Sequence, residues 1–223
     1  AMDSTAAEEE TLDHFNRLLS QFKIDTPEPA INDAFRTAIL NVEYTWVRPY
    51  GCMESMHHWW AIWQQYPCAS FDWAGLSDRT RESILAHTQR QFRSGNIPYL
   101  MFFGEKHLDF GGNDQTFLWQ VKHYLQTTGD RDLALKILPN MRRLVQAFWQ
   151  YEDSDGDSVP GFGVQVLTQE DYVSTPRNGT SSAVVGVEMW RTLALVERLA
   201  GNESEAAVCE RRAKTAAAKW YES

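Results

Sequence analysis

Between Gly104 and Asp171 the chain gathers residue types that can move protons and hold polyols. Glu105-Lys106-His107-Leu108-Asp109 precedes a helix-like opening at Asn113-Asp114, and Gln169-Glu170-Asp171 follows a long helical stretch. Asp153, Asp155 and Asp157 stand at alternate positions between them. Carboxylates, a histidine and tryptophans gathered at helix ends suit the cleavage of a sugar. An oxocarbenium-like transition state needs a proton donor and a second carboxylate, and the apolar face of a pyranose needs an aromatic platform.

A second cluster lies upstream. Trp46, Arg48, Tyr50 and Glu54 surround a break at Pro49-Tyr50-Gly51, and His57, His58, Trp59, Trp60 and Trp63 follow. A carboxylate, an arginine and indoles beside a loop suit sugar binding, which makes Trp46, Arg48 and Glu54 candidate contacts and Glu54 a candidate second carboxylate. Trp59 and Trp63 are one helical turn apart, and a stripe at that spacing more often faces a core. Adjacent His57 and His58 point in different directions and make a poor metal pair. The Asp153-Asp155-Asp157 series matches the start of a calcium loop but fails its later positions. Gly156 comes two places early, and Val164 stands where a bidentate Glu belongs. A turn with carboxylates folded onto the backbone is the better expectation, so neither metal nor cofactor is expected.

The elements that must carry these residues read as helices, with strand signals nearly absent. Leu12, Phe15, Leu18, Leu19 and Phe22 mark a first amphipathic helix, ended by Thr26-Pro27-Glu28-Pro29. Ile31, Phe35, Ala38, Ile39 and Val42 mark a second over about 28–46. A Trp-dense helix near 54–66 follows, then one capped by Asp78 and running to about Phe92. Residues 113–127 form the next, closed by Gly129 as a left-handed terminator. Asp130 caps its partner, whose apolar residues are Leu133, Leu135, Ile137, Leu138, Leu144, Val145 and Phe148, and Pro139 should kink it. The same grammar returns with a helix over 182–200, Gly201, a cap at Asn202 and a last helix to about Tyr221. Gly followed by a cap, twice, punctuates antiparallel helical hairpins. The long connections, 95–112 and 153–179, hold most of the polar residues, and such loops commonly carry function. One domain over 1–223 is expected.

Composition narrows the function classes. The 223 residues are 43% hydrophobic and 23% charged, ordinary values for a globular chain. The nine tryptophans are many, and most are expected in an aromatic-rich helical core. A net charge of −9 argues against nucleic-acid and anionic-membrane partners. No apolar run of about 18 residues is present to span a bilayer. The opening Ala-Met-Asp-Ser-Thr-Ala-Ala-Glu-Glu-Glu lacks the basic and apolar regions of a signal peptide, and Ala1-Met2 looks like a cloning remnant. Cys52, Cys68 and Cys209 form no Cys-x-x-Cys pair, so buried free thiols in a reducing, cytoplasmic setting are expected.

The order of parts resembles the α/α-toroid glycoside hydrolases, the six-hairpin barrel of the glucoamylase-like, debranching-type and bile-acid β-glucosidase-like families. The carrying residues are His107-Leu108-Asp109, Asn113-Asp114, Thr128-Gly129-Asp130, Asp153-Ser154-Asp155-Gly156-Asp157, an acidic loop, and a helix bearing Trp190. The resemblance covers roughly residues 100–200. It implies an all-α fold of antiparallel hairpins of the (α/α)6 type, with little more than half of a twelve-helix ring present. An uncovered core at the edge of an incomplete ring favours self-association that completes it.

On that resemblance Asp171 is the general acid, with Glu170 the next candidate. A donor must be protonated near neutral pH, so burial beside Tyr172 and other carboxylates would have to raise its pKa. The bland alternative is a solvated acidic loop or a helix cap. His107 and Asp109 would hydrogen-bond sugar hydroxyls next to the scissile bond, with Glu105 a weaker contact. Asp114 either faces ligand or caps its helix. The expected activity is hydrolysis of a glycosidic bond in a carbohydrate substrate. Its rivals are a non-catalytic carbohydrate-binding or scaffold module and a polysaccharide lyase using Tyr172 or His107. A lyase needs cations against a uronate carboxylate, which suits an acidic chain poorly.

Overall fold

A computed structural model describes residues 4–21, 23–47, 52–53, 68–73, 75–98, 100–102, 105–107, 112–153, 155–160 and 180–222. Within them the chain is helical: α1 (Ser4–Gln21), α2 (Pro29–Thr45), α3 (residues 68–73), α4 (Ser77–Gln89), α5 (Gly112–Thr128), α6 (Arg131–Glu152), α7 (Thr180–Leu199) and α8 (Glu203–Glu222). No described helix is long and apolar enough to cross a membrane. The expected Trp-rich helix over 54–66 lies outside the described residues.

Local chemistry explains most boundaries. Glu28 caps α2 by accepting from the Ala30 N–H, and Pro29 occupies a first-turn position where no N–H is needed. Thr26 and Asn32 tie the α1–α2 turn together, with Asn32 Oδ1 accepting from the Thr26 hydroxyl at 2.9 Å. Asp130 Oδ1 caps α6 through the Leu133 N–H at 2.9 Å, while its Oδ2 accepts from Tyr124 and Arg81. One expected cap differs: the residue before α4 is Leu76, with Asp78 only in the first turn. Asn202 does precede α8, its carbonyl accepting from the Ala206 N–H at 3.0 Å, while its side-chain amide donates back to Glu197 Oε2 at 2.9 Å. Helix α6 runs continuously through Pro139.

Three hairpins, α3/α4, α5/α6 and α7/α8, turn on glycines in the left-handed region: Gly75 (φ +68°), Gly129 (φ +64°) and Gly201 (φ +87°). Helices α5 and α7 pack on one another, as do α4 and α6, and α7 also packs on α6 and α8. Asp72 and Trp73 of α3 meet His123 of α5. The first helices α3, α5 and α7 thus build one layer, while α4 and α6 lie side by side against it, α4 packing on α5 and α6 on α7. Lys122 of α5 meets Glu188 of α7 at 2.5 Å. Arg131 at the start of α6 donates to the Leu199 carbonyl at the end of α7, so α6 runs against α7, and α5, which turns back into α6 at Gly129, runs parallel to α7. Arg81 near the start of α4 also bonds Asp130, so the three glycine turns lie at one end, and the described starts of α5 and α7 lie at the other.

The core fills the space between these layers. Phe117, Val121, Leu133, Ile137, Met141, Leu144, Val145 and Met189 are at most 1% exposed. Leu135 departs from the expected face and is largely exposed. Helices α1 and α2 do not share this core. Leu18 is the one buried residue of α1, and α2 has none, although both carry amphipathic patterns. Leu12 is 56% and Ile31 53% exposed, against the expectation that both face a core. Cys68 and Cys209 are buried free thiols. Sheet structure among the described residues is confined to two ladders, β1 (Trp46–Val47) with β2 (Cys52–Met53), and β3 (Leu100–Phe102) with β4 (Glu105–His107).

Candidate functional site

Of the expected site residues, Trp46, Glu105, His107 and Asp114 fall within the described residues. Glu105 and His107 form the ends of β4, His107 paired with Leu100 and Glu105 with Phe102. Arg48, Glu54, Asp109, Glu170 and Asp171 lie outside the described residues. Trp46 and Asp114 are the two expected site residues whose side chains are described, and they share no partner.

Asp114 anchors the connection that leads into β3. It lies in the first turn of α5, 4% exposed, and its two oxygens accept from the Ile97 N–H and from Asn96 Nδ2, each at 2.7 Å. Burial pushes its pKa up to about 7 against the opposing pull of those two hydrogen bonds. The same connection is held from the α6 side. Gln91 Nε2 donates to the carbonyls of Gly95 and Asn140, and Asn140 returns a bond to Gln91 Oε1. A Cβ on Gly95 would sit 2.5 Å from the Arg143 carbonyl, and φ is +107°, so only glycine fits. The loop thus approaches β3–β4 from a fixed base.

Trp46 packs edge-on against Phe71, ring centroids 5.2 Å apart, with the Arg79 guanidinium 6.0 Å from its ring. Its indole N–H is buried with no acceptor among the described residues. Beside it Glu43 accepts from Arg79 and from His14. Burial would raise the Glu43 pKa, yet those hydrogen bonds and the two cations hold it below the usual carboxylate range.

The Asp153–Asp157 segment folds onto its own backbone, as expected. Asp153 Oδ1 accepts from the Ser158 N–H at 3.0 Å and Asp157 Oδ1 from the Val159 N–H at 2.7 Å. Gly156 and Ser158 take positive φ values to close the turn. The three carboxylates lie within 4.8 Å of one another and are the described group able to hold a cation. Partial burial raises the Asp153 pKa, and the neighbouring Asp157 and Asp155 charges add to that rise.

A further cluster, on the layer of α3, α5 and α7, went unmarked in the sequence reading. His123 Nδ1 pairs with Asp72 Oδ2 at 2.9 Å, and the imidazole lies against Trp119 (stacked, 5.4 Å) and Trp73 (edge-on, 5.5 Å). Trp73 is 75% exposed and Trp119 36%. Burial raises the Asp72 carboxyl above its usual value, although the His123 hydrogen bond opposes this. Trp119 and His123 at i and i+4 on α5 were the available signal, and only the approach of α3 joins them to Asp72.

Comparison with models of protein families, with curated proteins and with solved structures finds no match to this chain.

Proposed function

We propose that the chain is a glycoside hydrolase, or part of one, of the six-hairpin toroid type. The observation that supports this reading best is the common polarity of the hairpins. The described starts of α5 and α7, each of which follows in sequence a stretch bearing candidate residues (Glu105, His107 and Asp109; Glu170 and Asp171), lie at one end of their layer, while the glycine turns occupy the other. Helical hairpins repeated with that polarity form the arc from which a toroid would be built, and the entering loops would line its mouth.

In this reading Asp171 protonates the glycosidic oxygen, with Glu170 as the nearest substitute. His107, Asp109, Trp46 and Arg48 hold the sugar, and Glu105 and Asp114 support the wall. Glu54 is the candidate second carboxylate, activating water or attacking the anomeric carbon. The fixed base under β3–β4 matters here because a loose first contact forfeits the advantage of orientation. Asp114 acts through that base, since both of its oxygens are engaged within the chain.

The test is hydrolysis of a panel of aryl glycosides and disaccharides by the chain and by Asp171→Asn. Turnover that disappears in the variant, with an unchanged helical spectrum, supports the assignment; equal turnover in both sinks it. A second reading is a non-catalytic carbohydrate-binding module, favoured by the exposed Trp73 and Trp119, which need no catalytic carboxylate. Saccharide binding with no turnover on any substrate selects it.

A further inference from the structure

Trp73 borders the groove beneath the apolar face of α2, beside Phe35, Ile39 and Val42, but the surface it shares with Trp119 on α5 differs in character from that aliphatic and phenyl lining. Here two indoles flank an imidazole, and a Lys122–Glu188 ion pair runs alongside. Asp72, 5% exposed, fixes the imidazole through Nδ1. That leaves Nε2 as the nitrogen that can bond a ligand, and a buried carboxylate partner sets which tautomer is presented. Each indole centroid lies within 5.5 Å of the His123 ring, so one small cyclic ligand can touch an indole and the imidazole together.

We propose that Trp73, Trp119 and the Asp72–His123 pair form a pyranose-binding site on the layer of α3, α5 and α7. A pyranose has an apolar C–H face and a rim of hydroxyls. The indoles match the face, while His123 Nε2 and the Lys122–Glu188 pair match the rim. His123 lies about 16 Å along α5 from Gly112 at a rise of about 1.5 Å per residue, and Trp73 closes α3 just before the Gly75 turn. The site therefore lies toward the turn end of the layer. It rests on the carbohydrate reading above but not on catalysis.

Tryptophan fluorescence titrated with maltotriose, cellotriose and xylotriose tests the site. At least one trisaccharide should quench emission saturably. Trp73→Ala, at a position already open to water, should weaken that binding about tenfold with no change in thermal midpoint. Trp119→Phe should weaken it less, and His123→Phe should weaken it while keeping an aromatic ring in place. No saturable quench with any of the three overturns the proposal, and so does a quench that Trp73→Ala and His123→Phe leave unchanged. A change from dimer to monomer in Trp73→Ala, without saccharide binding in the parent chain, makes the face a contact between copies and also overturns it. Asp171→Asn separates the two proposals. If it abolishes turnover and leaves the quench intact, both stand. Turnover without quench removes this site alone, and quench without turnover removes the hydrolase assignment alone.

Discussion

Helices α5–α8 and the α1–α2 pair have the same amphipathic design and opposite fates. In α5–α8 nearly every apolar position finds a partner. Leu133, Leu144, Val145 and Val196 are wholly buried, and Trp149 and Trp190 stack at 5.7 Å under the Arg212 guanidinium. In α1–α2 the same 3.6-residue spacing leaves Leu12, Ile31 and Tyr44 in water. A helical stripe records which face wants to be covered. Whether something covers it depends on the neighbour, and α1 packs on α2 through a narrow strip.

The comparison breaks most sharply at the core. Leu144→Ala should cost about 3 kcal/mol in urea denaturation, the usual price of a buried leucine deletion, while Ile31→Ala should stay within about 0.5 kcal/mol. Equal effects would mean that α2 is covered in solution by something outside the described chain. Close backbone approach gives the next effect. Gly95→Ala must clear the Arg143 carbonyl and adopt a positive φ, for a loss of about 2 kcal/mol in the same assay.

Two buried titratable groups at the α4–α5 contact sharpen the comparison through pH. Burial raises Asp114 to about 7, so the folded state binds a proton that the unfolded state has released. Its contribution is fully present below about pH 3.8 and fades as pH rises to about 7, with a slope of up to about 1.4 kcal/mol per pH unit. His87, wholly buried and lowered to about 4, works in the opposite sense: stability grows as pH rises from about 4 to 6.5. The two trends oppose each other over most of this range. Asp114→Asn should therefore turn a nearly flat stability profile between pH 4.5 and 6.5 into one that rises with pH. A profile of unchanged slope in urea titrations would remove Asp114 from the account. The smallest effect is kinetic. Amides of α1 should exchange with deuterium much faster than those of α6, because a helix with one buried residue opens locally at little cost.

The glycine turns show how much of the fold was legible. Gly129 and Gly201 announce two hairpins, and the structure adds a third at Gly75, where the sequence offers Gly-Leu-Ser in place of a glycine followed by a polar cap. The calcium-like Asp153–Asp157 series was correctly read as a turn, because the chemistry of short carboxylates against nearby amides is local. Capping at Asp78 failed because the true first residue of α4 is set by how Leu76 packs near Phe71, which no local signal encodes. The Asp72–His123 pair was invisible for a related reason: its members lie 51 positions apart, and each alone has many ordinary explanations.

What the sequence determined by itself is the helical class, most helix limits and the turn chemistry, since these depend on contacts within a few residues. The stretch that holds Glu105, His107 and Asp114 was legible as a polar connection leading into a helix. The tertiary structure alone decided that the glycine turns share one end, that Asp114 is consumed in holding the Asn96–Ile97 backbone, and that an imidazole between two indoles faces outward from α5. Those outcomes depend on which face of one helix meets which face of another. Amphipathic spacing restricts that choice, and only the mutual packing of α3, α5 and α7 makes it.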